Sequence, residues 1–311
     1  AATKLERRPH PEAGQPWPAC APQPGTPAAT KLTPARWIRV SRMTTMPQTN
    51  HQGHEMQFTS EVTEMGVTER AFALEVAGER VPGIVWTPEG AAGPRPVVLM
   101  GHGGTQHKRV DTLLARARSY ARHQRWAVVA IDAPAHGERT TPEAAAAART
   151  NLQARIGSRT QGFDPEAARQ MMKRTLQAVP EWQATLDAVR TIPGVGEGPV
   201  GYWGVSMGTS IGVPFLAAEP RVQCAVLGLN GLRPGADEFA RQAASITIPL
   251  LFVFQRHDEL VNVEAGLALF DAFGAKEKTM HINPGGHVGI PAHEREEFER
   301  FFLRHLGPGG E

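Results

Sequence analysis

The sequence predicts an α/β protein whose mostly parallel sheet is covered by helices on both faces. Short apolar runs, each ending in glycine, proline or a polar cluster, alternate with amphipathic stretches from about residue 66 onward. Strands that are apolar throughout are typical of sheets buried on both faces, and alternation with helices favours parallel strands. A chain of 311 residues with near-average composition is long enough to bury a sizeable core. We therefore expect one α/β domain over residues 56–311.

The individual elements follow from hydrophobic periodicity and turn residues. The first two strands, VTERAFALEV and ERVPGIVWTPE, are expected to form a hairpin. Later strands are predicted in PVVLMGHGG, WAVVAIDAPAHG, PVGYWGVS, VQCAVLGLNG, PLLFVFQRHDE and KTMHINPGGH. Helices are predicted at 111–123, in VPEWQATLDAVRTIP, directly after Ser206, in VNVEAGLALFDAFG and in HEREEFERFFLRHLG.

Two segments fall outside this alternation. Residues 1–55 are rich in proline and poor in apolar side chains, so we expect a disordered or loosely attached extension. Residues 138–176, which follow the strand ending near Asp132, are too long for a simple connection and contain helix-forming residues. Ligands of open α/β sheets bind at the carboxyl ends of the strands, so this helical, cap-like insertion is expected to influence substrate selectivity. A solvent-exposed decoration is the alternative interpretation.

Bulk properties exclude several classes of function. The net charge is +2 and the basic residues are scattered, which argues against a nucleic-acid partner. The sequence contains no run of about 18 apolar residues, so no membrane-spanning helix is predicted. Cys20 and Cys224 are the two cysteines, one in the proline-rich extension and one in an apolar strand, so a disulfide is not expected. These features favour a cytoplasmic chain, while secretion and the oligomeric state stay open.

The segment Gly204-Val205-Ser206-Met207-Gly208 lies between a predicted strand and a predicted helix. A serine on a sharp strand-to-helix turn needs strained backbone angles, and glycines two residues before and after remove side chains that would collide. Such a turn exposes the serine hydroxyl and directs the N–H groups of the next helix toward the atom that the serine attacks. Ser206 is therefore the predicted nucleophile.

A serine hydroxyl needs a base held by an acid, and both follow Ser206 in the chain. The strand LLFVFQ is followed by Asp258, with Glu259 as a second candidate acid, and the last strand is followed by a loop containing His287. This order places the three side chains at one end of a parallel sheet. His281 lies within the last strand, and we interpret it as a packed or edge histidine.

An oxyanion formed at the attacked carbonyl needs two N–H donors. Met207 is one candidate, and the glycine-rich loop after PVVLM supplies the other, with Gly104 preferred over Gly103. The same loop lacks the second glycine of a phosphate-binding loop, so no nucleotide cofactor is expected. We find no cluster of metal ligands in the sequence either.

Together, GVSMG, GHGGT, AIDAPAHG, HDELV and GGH resemble the α/β-hydrolase superfamily, and within it the bacterial serine esterases of the dienelactone-hydrolase-like group. The resemblance covers about residues 66–307. It implies an α/β-hydrolase fold, a nucleophile at Ser206, a base at His287 and an acid at Asp258, with an oxyanion hole near Gly104 and Met207. Dienelactone hydrolases proper have a cysteine where this chain has Ser206.

These features predict a serine hydrolase acting on a small-molecule ester without cofactor or metal. The resemblance favours an esterase for small to medium acyl chains. A thioesterase, a peptidase or amidase, and an acyltransferase use the same residues and remain alternatives. A binding protein that keeps the hydrolase scaffold without turnover is a further alternative.

Overall fold

A computed structural model describes residues 48–49, 55–159 and 165–310, and its strands form a ten-stranded mixed sheet. The parallel part consists of short strands made of apolar residues. They are β5 (Val97–Gly101), β6 (Ala127–Ile131), β7 (Val200–Val205), β8 (Val222–Gly228), β9 (Leu250–Gln255) and β10 (Lys278–Asn283). Side chains of β5, β6, β7 and β9 are buried at every position, as expected for strands covered on both faces. The predicted parallel α/β sheet is thus confirmed.

Antiparallel strands precede the parallel part. They are β1 (Gln48–Thr49), β2 (Glu55–Glu64), β3 (Val67–Val76) and β4 (Glu79–Pro88). The turns between β2 and β3 and between β3 and β4 each have two central residues with positive φ, ending in Gly66 and Gly78. Such two-residue turns fit the twist of a hairpin. The predicted β3–β4 hairpin is confirmed, and β2 is a strand that the sequence did not predict.

The strand order is β1-β2-β3-β4-β6-β5-β7-β8-β9-β10. β4 pairs antiparallel with β6, and from β6 to β10 all pairs are parallel. The carboxyl ends of β5, β7, β9 and β10 therefore lie at the same edge of the sheet. The candidate site residues lie directly after these strands, in the loops or, for Met207, at the start of the following helix.

Seven α-helices are described. They are α1 (Asp111–Ser119), α2 (Pro142–Gly157), α3 (Pro165–Arg190), α4 (Met207–Ala218), α5 (Asp237–Ser245), α6 (Val263–Ala272) and α7 (Glu294–Leu306). The predicted helix at 111–123 is α1 followed by a π-helical turn at Tyr120–Gln124. α5 is a helix that the sequence analysis missed. No described helix is long and apolar enough to cross a membrane.

The helices cover the sheet from both sides, and each side has its own apolar core. One core contains Trp182 of α3, Tyr202 of β7 and Phe215 of α4, whose rings are in mutual contact. The other contains Trp126 before β6 and Phe302 of α7, whose rings meet edge to face. Aromatic pairs of this geometry add to the free energy gained from burial. Helices on both faces of the sheet agree with the predicted fold class.

The insertion merges with the domain through one long helix. α3 runs without interruption from Pro165 to Arg190, so no break occurs at residue 176, where the sequence analysis placed the end of the insertion. Pro180 lies inside this helix, where its ring removes one hydrogen bond. The buried stripe formed by Ala178, Trp182, Leu186 and Val189 continues past it and fixes the helix on the sheet. α2, in contrast, has no buried residue.

Most of the predicted extension lies outside the described residues. Within residues 1–55, the structure describes Gln48–Thr49, which pair antiparallel with β2, and the first residue of β2. The expectation of disorder for residues 1–47 and 50–54 stays a prediction.

A buried ion pair connects the loops after β5 and β6. The Asp132 carboxylate accepts hydrogen bonds from Lys108 Nζ at 2.6 Å, Lys108 N at 2.9 Å and Glu138 N at 2.9 Å. Both side chains are almost fully buried. Burial alone would raise the pKa of the Asp132 carboxyl, but the bonds from Lys108 outweigh this effect and hold the pKa below its usual value. The pair fixes these two loops to each other.

Replacing Lys108 with methionine is expected to lower the free energy of unfolding by about 3–5 kcal/mol at neutral pH, because it leaves the buried Asp132 charge without its cation. Urea unfolding of Lys108→Met beside wild type measures the loss. The loss is expected to shrink in acidic buffer, where Asp132 of the variant becomes protonated.

The control is Arg241→Met, which removes an exposed ion pair with Glu238. We expect it to cost less than about 1 kcal/mol. Equal losses in both variants would mean that the buried pair has no special structural role.

Candidate active site

Ser206 lies on a strained turn between β7 and α4. Its backbone angles are φ 56° and ψ −114°, outside the regions that L-residues usually occupy. A Cβ on Gly204 would lie 2.7 Å from the Gly208 oxygen, and a Cβ on Gly208 would lie 2.7 Å from the Gly101 oxygen. Only glycine fits at either place, which agrees with the reason proposed from the sequence. The turn between strand and helix is therefore built around Ser206.

Hydrogen bonds hold both sides of the Ser206 backbone. Ser206 N donates to Gly228 O at 2.8 Å, which attaches the turn to β8. Asn230 Nδ2 donates to Ser206 O at 3.1 Å and to Ser210 Oγ at 2.7 Å. Sequence reasoning missed Asn230, since an asparagine after a strand is typical of an ordinary turn.

The structure brings Ser206, His287 and Asp258 together in one chain of hydrogen bonds. Ser206 Oγ lies 2.8 Å from His287 Nε2, and His287 Nδ1 lies 2.7 Å from Asp258 Oδ2. The Asp258 carboxylate accepts a hydrogen bond from the Nδ1–H group of His287, which leaves Nε2 as the acceptor for the serine hydroxyl. His287 and Asp258 are buried, whereas Ser206 is partly accessible. This is the geometry required for a hydroxyl nucleophile activated by an oriented base.

The two candidate acids have different contacts. Asp258 Oδ1 accepts the N–H groups of Leu260 at 2.8 Å and Val261 at 3.0 Å, while its other oxygen contacts His287. Glu259 Oε2 instead accepts the backbone N–H of His287 at 2.8 Å. Asp258 therefore orients the imidazole ring, and Glu259 holds the loop that contains it.

The candidate oxyanion donors lie beside Ser206. Gly103, Gly104 and Met207 all line the cavity above the serine, and a Cβ on Gly104 would lie 4.0 Å from Met207 Cβ. Gly103 N donates to Gln106 Oε1 at 3.0 Å. Within the described chain, no acceptor takes the N–H of Gly104. The geometry therefore favours Gly104 over Gly103.

His102 fixes the orientation of this loop. Its Nδ1 donates to Gly103 O at 2.9 Å, and its Nε2 accepts from Ala133 N at 3.0 Å. Gly103 O and Gly104 N belong to one planar trans peptide and point in opposite directions, so the bond to Gly103 O also sets the direction of the Gly104 N–H. The sequence analysis assigned no role to His102.

His281 does not join the site. It lies on β10, and its Nδ1 contacts Glu294 Oε2 at 3.0 Å, as expected for a packed or edge histidine. No group of three or more histidine, cysteine, aspartate or glutamate side chains in the described ranges has the arrangement to hold a metal ion.

A cavity of about 1380 Å³ lies above Ser206. Its walls include the loops after β5, β6, β8, β9 and β10, parts of α1, α4 and α7, and α2 and α3 of the insertion. Leu152 of α2 and Met171 of α3 are among its apolar lining residues, together with Ile211 and Leu229 of the domain. The insertion therefore forms part of the wall around the candidate nucleophile.

No protein-family model and no curated protein matches the chain. Among solved structures, the chain is similar to a cold-adapted esterase from an Arctic intertidal metagenomic library. In its PEG-bound complex the identity is 33%, 80% of this chain and 98% of the esterase are covered, and the TM-score is 0.67. The native structure gives 30% identity, coverage of 80% and 99%, and a TM-score of 0.63.

An acetyl xylan esterase from Paenibacillus sp. R4 is more distant. It has 16% identity, coverage of 83% of this chain and 90% of the esterase, and a TM-score of 0.59. At this identity the similarity supports the fold alone.

His102 is expected to stay neutral, with its proton on Nδ1, across the physiological range. Burial, the largest influence, lowers its pKa to about 4, with nearby His136 contributing in the same direction. NMR of protein labelled with ¹⁵N in its imidazole rings measures the protonation directly, and the spectrum of His102→Asn assigns the signal.

Since the pKa of His102 is lower in the folded state than in the unfolded state, its contribution to stability should decrease as the pH falls from about 6.5 toward 4. A His102 signal that titrates between about pH 6 and 7 would contradict the buried neutral ring.

Proposed function

Since the chain belongs to the esterases of the α/β-hydrolase fold, we propose that it cleaves carboxylic esters of small to medium acyl chains through Ser206, His287 and Asp258. The observation that supports this mechanism most directly is the pair of short contacts that His287 makes, 2.8 Å to Ser206 Oγ and 2.7 Å to Asp258 Oδ2. The same three residues were proposed from their order in the sequence.

In the acylation step, Ser206 Oγ attacks the ester carbonyl carbon while its proton moves to His287 Nε2. Asp258 stabilises the imidazolium that forms and keeps the ring in place. The N–H groups of Leu260 and Val261 and the ring of His287 occupy both oxygens of the Asp258 carboxylate, which holds the carboxylate in the orientation that the imidazole ring needs.

The carbonyl oxygen becomes negatively charged in the tetrahedral intermediate. We propose that the N–H groups of Gly104 and Met207 bind this oxygen, since both residues border the cavity at Ser206. Met207 is the first residue of α4, so its N–H has no acceptor within the helix. Collapse of the intermediate breaks the ester C–O bond, and the alcohol leaves with the proton from His287.

Deacylation repeats these steps with water. His287 Nε2 takes a proton from water, the hydroxide attacks the acyl-enzyme carbonyl, and Ser206 Oγ leaves with that proton. The carboxylic acid is released and the enzyme returns to its starting state. The steps require no cofactor.

The apolar lining residues of the cavity, among them Leu152, Met171, Ile211 and Leu229, would contact an acyl chain, and each methylene that leaves water contributes about 0.8 kcal/mol to binding. The limit to small and medium chains is proposed from the resemblance to bacterial serine esterases. The dienelactone-hydrolase-like grouping also remains a proposal, supported by the resemblance of the GHGGT, GVSMG and GGH segments.

The experiment that tests the proposed function is hydrolysis of p-nitrophenyl acetate, butyrate, octanoate and laurate. We expect turnover to be highest for the shorter chains. Ser206→Ala should lower kcat by at least about 10⁴-fold, because the nucleophile is lost.

Ser245→Ala, which removes an exposed hydroxyl of α5, is the matched control and should keep wild-type activity. Wild-type turnover by Ser206→Ala would refute the serine mechanism. If wild type hydrolyses none of the four esters, the general ester specificity is wrong, and amide and thioester substrates become the next candidates.

A second pair of variants identifies the acid. Asp258→Asn should lower kcat by about 10⁴-fold, because the amide no longer stabilises the correct tautomer and the imidazolium of His287. Glu259→Gln should lower kcat less than about tenfold, since glutamine keeps an oxygen that accepts the His287 N–H. If Glu259→Gln lost more kcat than Asp258→Asn in p-nitrophenyl butyrate assays, Glu259 would be the acid. Circular dichroism checks that both variants are folded.

A further inference from the structure

The cavity above Ser206 has an unusual charge composition. Its lining contains six arginines and no aspartate or glutamate among the described residues. They are Arg116 of α1, Arg149 and Arg155 of α2, Arg174 of α3, Arg233 after β8, and Arg295 of α7. The chain as a whole has a net charge of only +2, so this is a local concentration of positive charge. The sequence showed scattered basic residues, and the fold gathers these six around one cavity.

Most arginines elsewhere in the structure are neutralised. Those that form ion pairs with carboxylates include Arg70, Arg109, Arg139, Arg221 and Arg300. Among the cavity arginines, Arg116, Arg149, Arg174 and Arg295 form no ion pair with any described carboxylate. Four of the six cavity arginines therefore lack the ion pairs that most arginines elsewhere in the described chain form.

Arg116 is the most enclosed of these four. Its guanidinium carbon lies 4.0 Å from the centre of the Trp203 ring, a cation–π contact that fixes its direction. Its Nε is buried and has no hydrogen-bond acceptor in the described part of the chain. Burial lowers the pKa of Arg116, and so does the nearby charge of Arg295. Because Nε is enclosed by the protein, an anion in the cavity would be bound by the other guanidinium nitrogens of Arg116, which lines the cavity together with Arg295.

The insertion contributes positive charge to another wall. Arg174 of α3 and Arg149 of α2 are exposed to the cavity. His136, which also lines the cavity, has a lowered pKa, first because it is buried and second because Arg174 is close. Arg155 likewise lowers the pKa of Arg233, after the larger effect of burial. Arg149 and Arg174 therefore add two positive charges to this wall of the cavity, which favours a bound anion.

We propose that the ester cleaved by this protein contains an anionic group, a carboxylate, that the cavity arginines bind while the ester carbonyl lies at Ser206. This proposal rests on the proposed function and specifies its substrate class. A carboxylate matches the planar fork of a guanidinium through two parallel hydrogen bonds. Half-esters of dicarboxylic acids combine such a group with an ester in one small molecule.

The cavity also contains apolar side chains, which contact the aliphatic part of such a substrate. A neutral ester of the same length gains only that apolar contribution, and it leaves the guanidinium groups without a partner. Discrimination between the two substrates therefore depends on the arginines. An ester without a charge is expected to bind more weakly, with a higher KM, and not to react more slowly once bound.

The test compares monomethyl adipate with methyl hexanoate, which differ in one terminal group, a carboxylate in place of a methyl. Acid release is followed by titration at constant pH. For the wild type, we expect kcat/KM to be at least about tenfold higher for monomethyl adipate, which corresponds to about 1.4 kcal/mol. The advantage should decrease when the salt concentration is raised, because salt screens the attraction.

Arg116→Gln and Arg174→Gln locate the charge recognition. Each should raise KM for monomethyl adipate by about five- to tenfold and change methyl hexanoate hydrolysis by less than about twofold. Arg174 is exposed, so its replacement tests the proposal even if Arg116→Gln is poorly folded. Arg300→Gln, on the same helix as Arg295 but outside the cavity lining, is the matched control and should affect neither substrate.

Equal kcat/KM for the two esters in the wild type, or equal effects of the variants on both, would overturn the charge proposal while leaving the esterase proposal intact. If neither ester is cleaved, the esterase proposal fails separately, and calorimetric titration with adipate decides the charge proposal. Binding by the wild type that weakens in Arg174→Gln would then support an anion site. No binding would refute it.

Discussion

The positive φ of Ser206, a strained backbone conformation for a non-glycine residue, is the constraint on which the site depends. A non-glycine residue in such a conformation costs about 1–3 kcal/mol, and the surrounding contacts must hold it there. The bond from Ser206 N to Gly228 O, the bond from Asn230 to Ser206 O, and the missing side chains at Gly204 and Gly208 together satisfy this requirement. The direction of the serine hydroxyl is therefore set before a substrate enters.

The rest of the site is arranged around that fixed hydroxyl. Because β9 and β10 lie beyond β8 in the sheet, the loops after them must reach back over β8 to bring Asp258 and His287 to Ser206. Glu259 stabilises this path by accepting the His287 N–H. A Cβ on Gly286 would lie 2.4 Å from the Glu259 carboxylate, so the glycine allows that close approach. The position of His287 thus depends on contacts outside the hydrogen-bonded chain of Ser206, His287 and Asp258.

Most features that the sequence predicted depend on residues close together in the chain. The strand-to-helix turn at Ser206 and the apolar strands are such local patterns, and the structure has them where they were expected. The Ser–Asp–His order spans 81 residues, so proposing it also required the expected parallel sheet, which places the ends of these strands at one edge. β2, α5 and the length of α3 were not predicted. β2 is a mostly polar strand defined by its pairing with β3, and α3 continues past Pro180 because its buried stripe packs on the sheet. His102 and Asn230 act through contacts 31 and 24 residues away in sequence, which no local pattern reveals.

The positive charge of the cavity likewise arises from the fold, because its arginines are far apart in the sequence. The catalytic carboxylate of the proposed triad is fully buried behind His287 and satisfied by two backbone N–H groups and the imidazole. It forms no described ion pair with Arg116, Arg149, Arg174 or Arg295, so under the proposed substrate class the charge of these four side chains acts on the bound substrate. Interactions made equally in the bound substrate and in the transition state lower KM without raising kcat. Substrate choice and bond cleavage would then depend on different residues of one site, the arginines for the first and the Ser206 turn for the second.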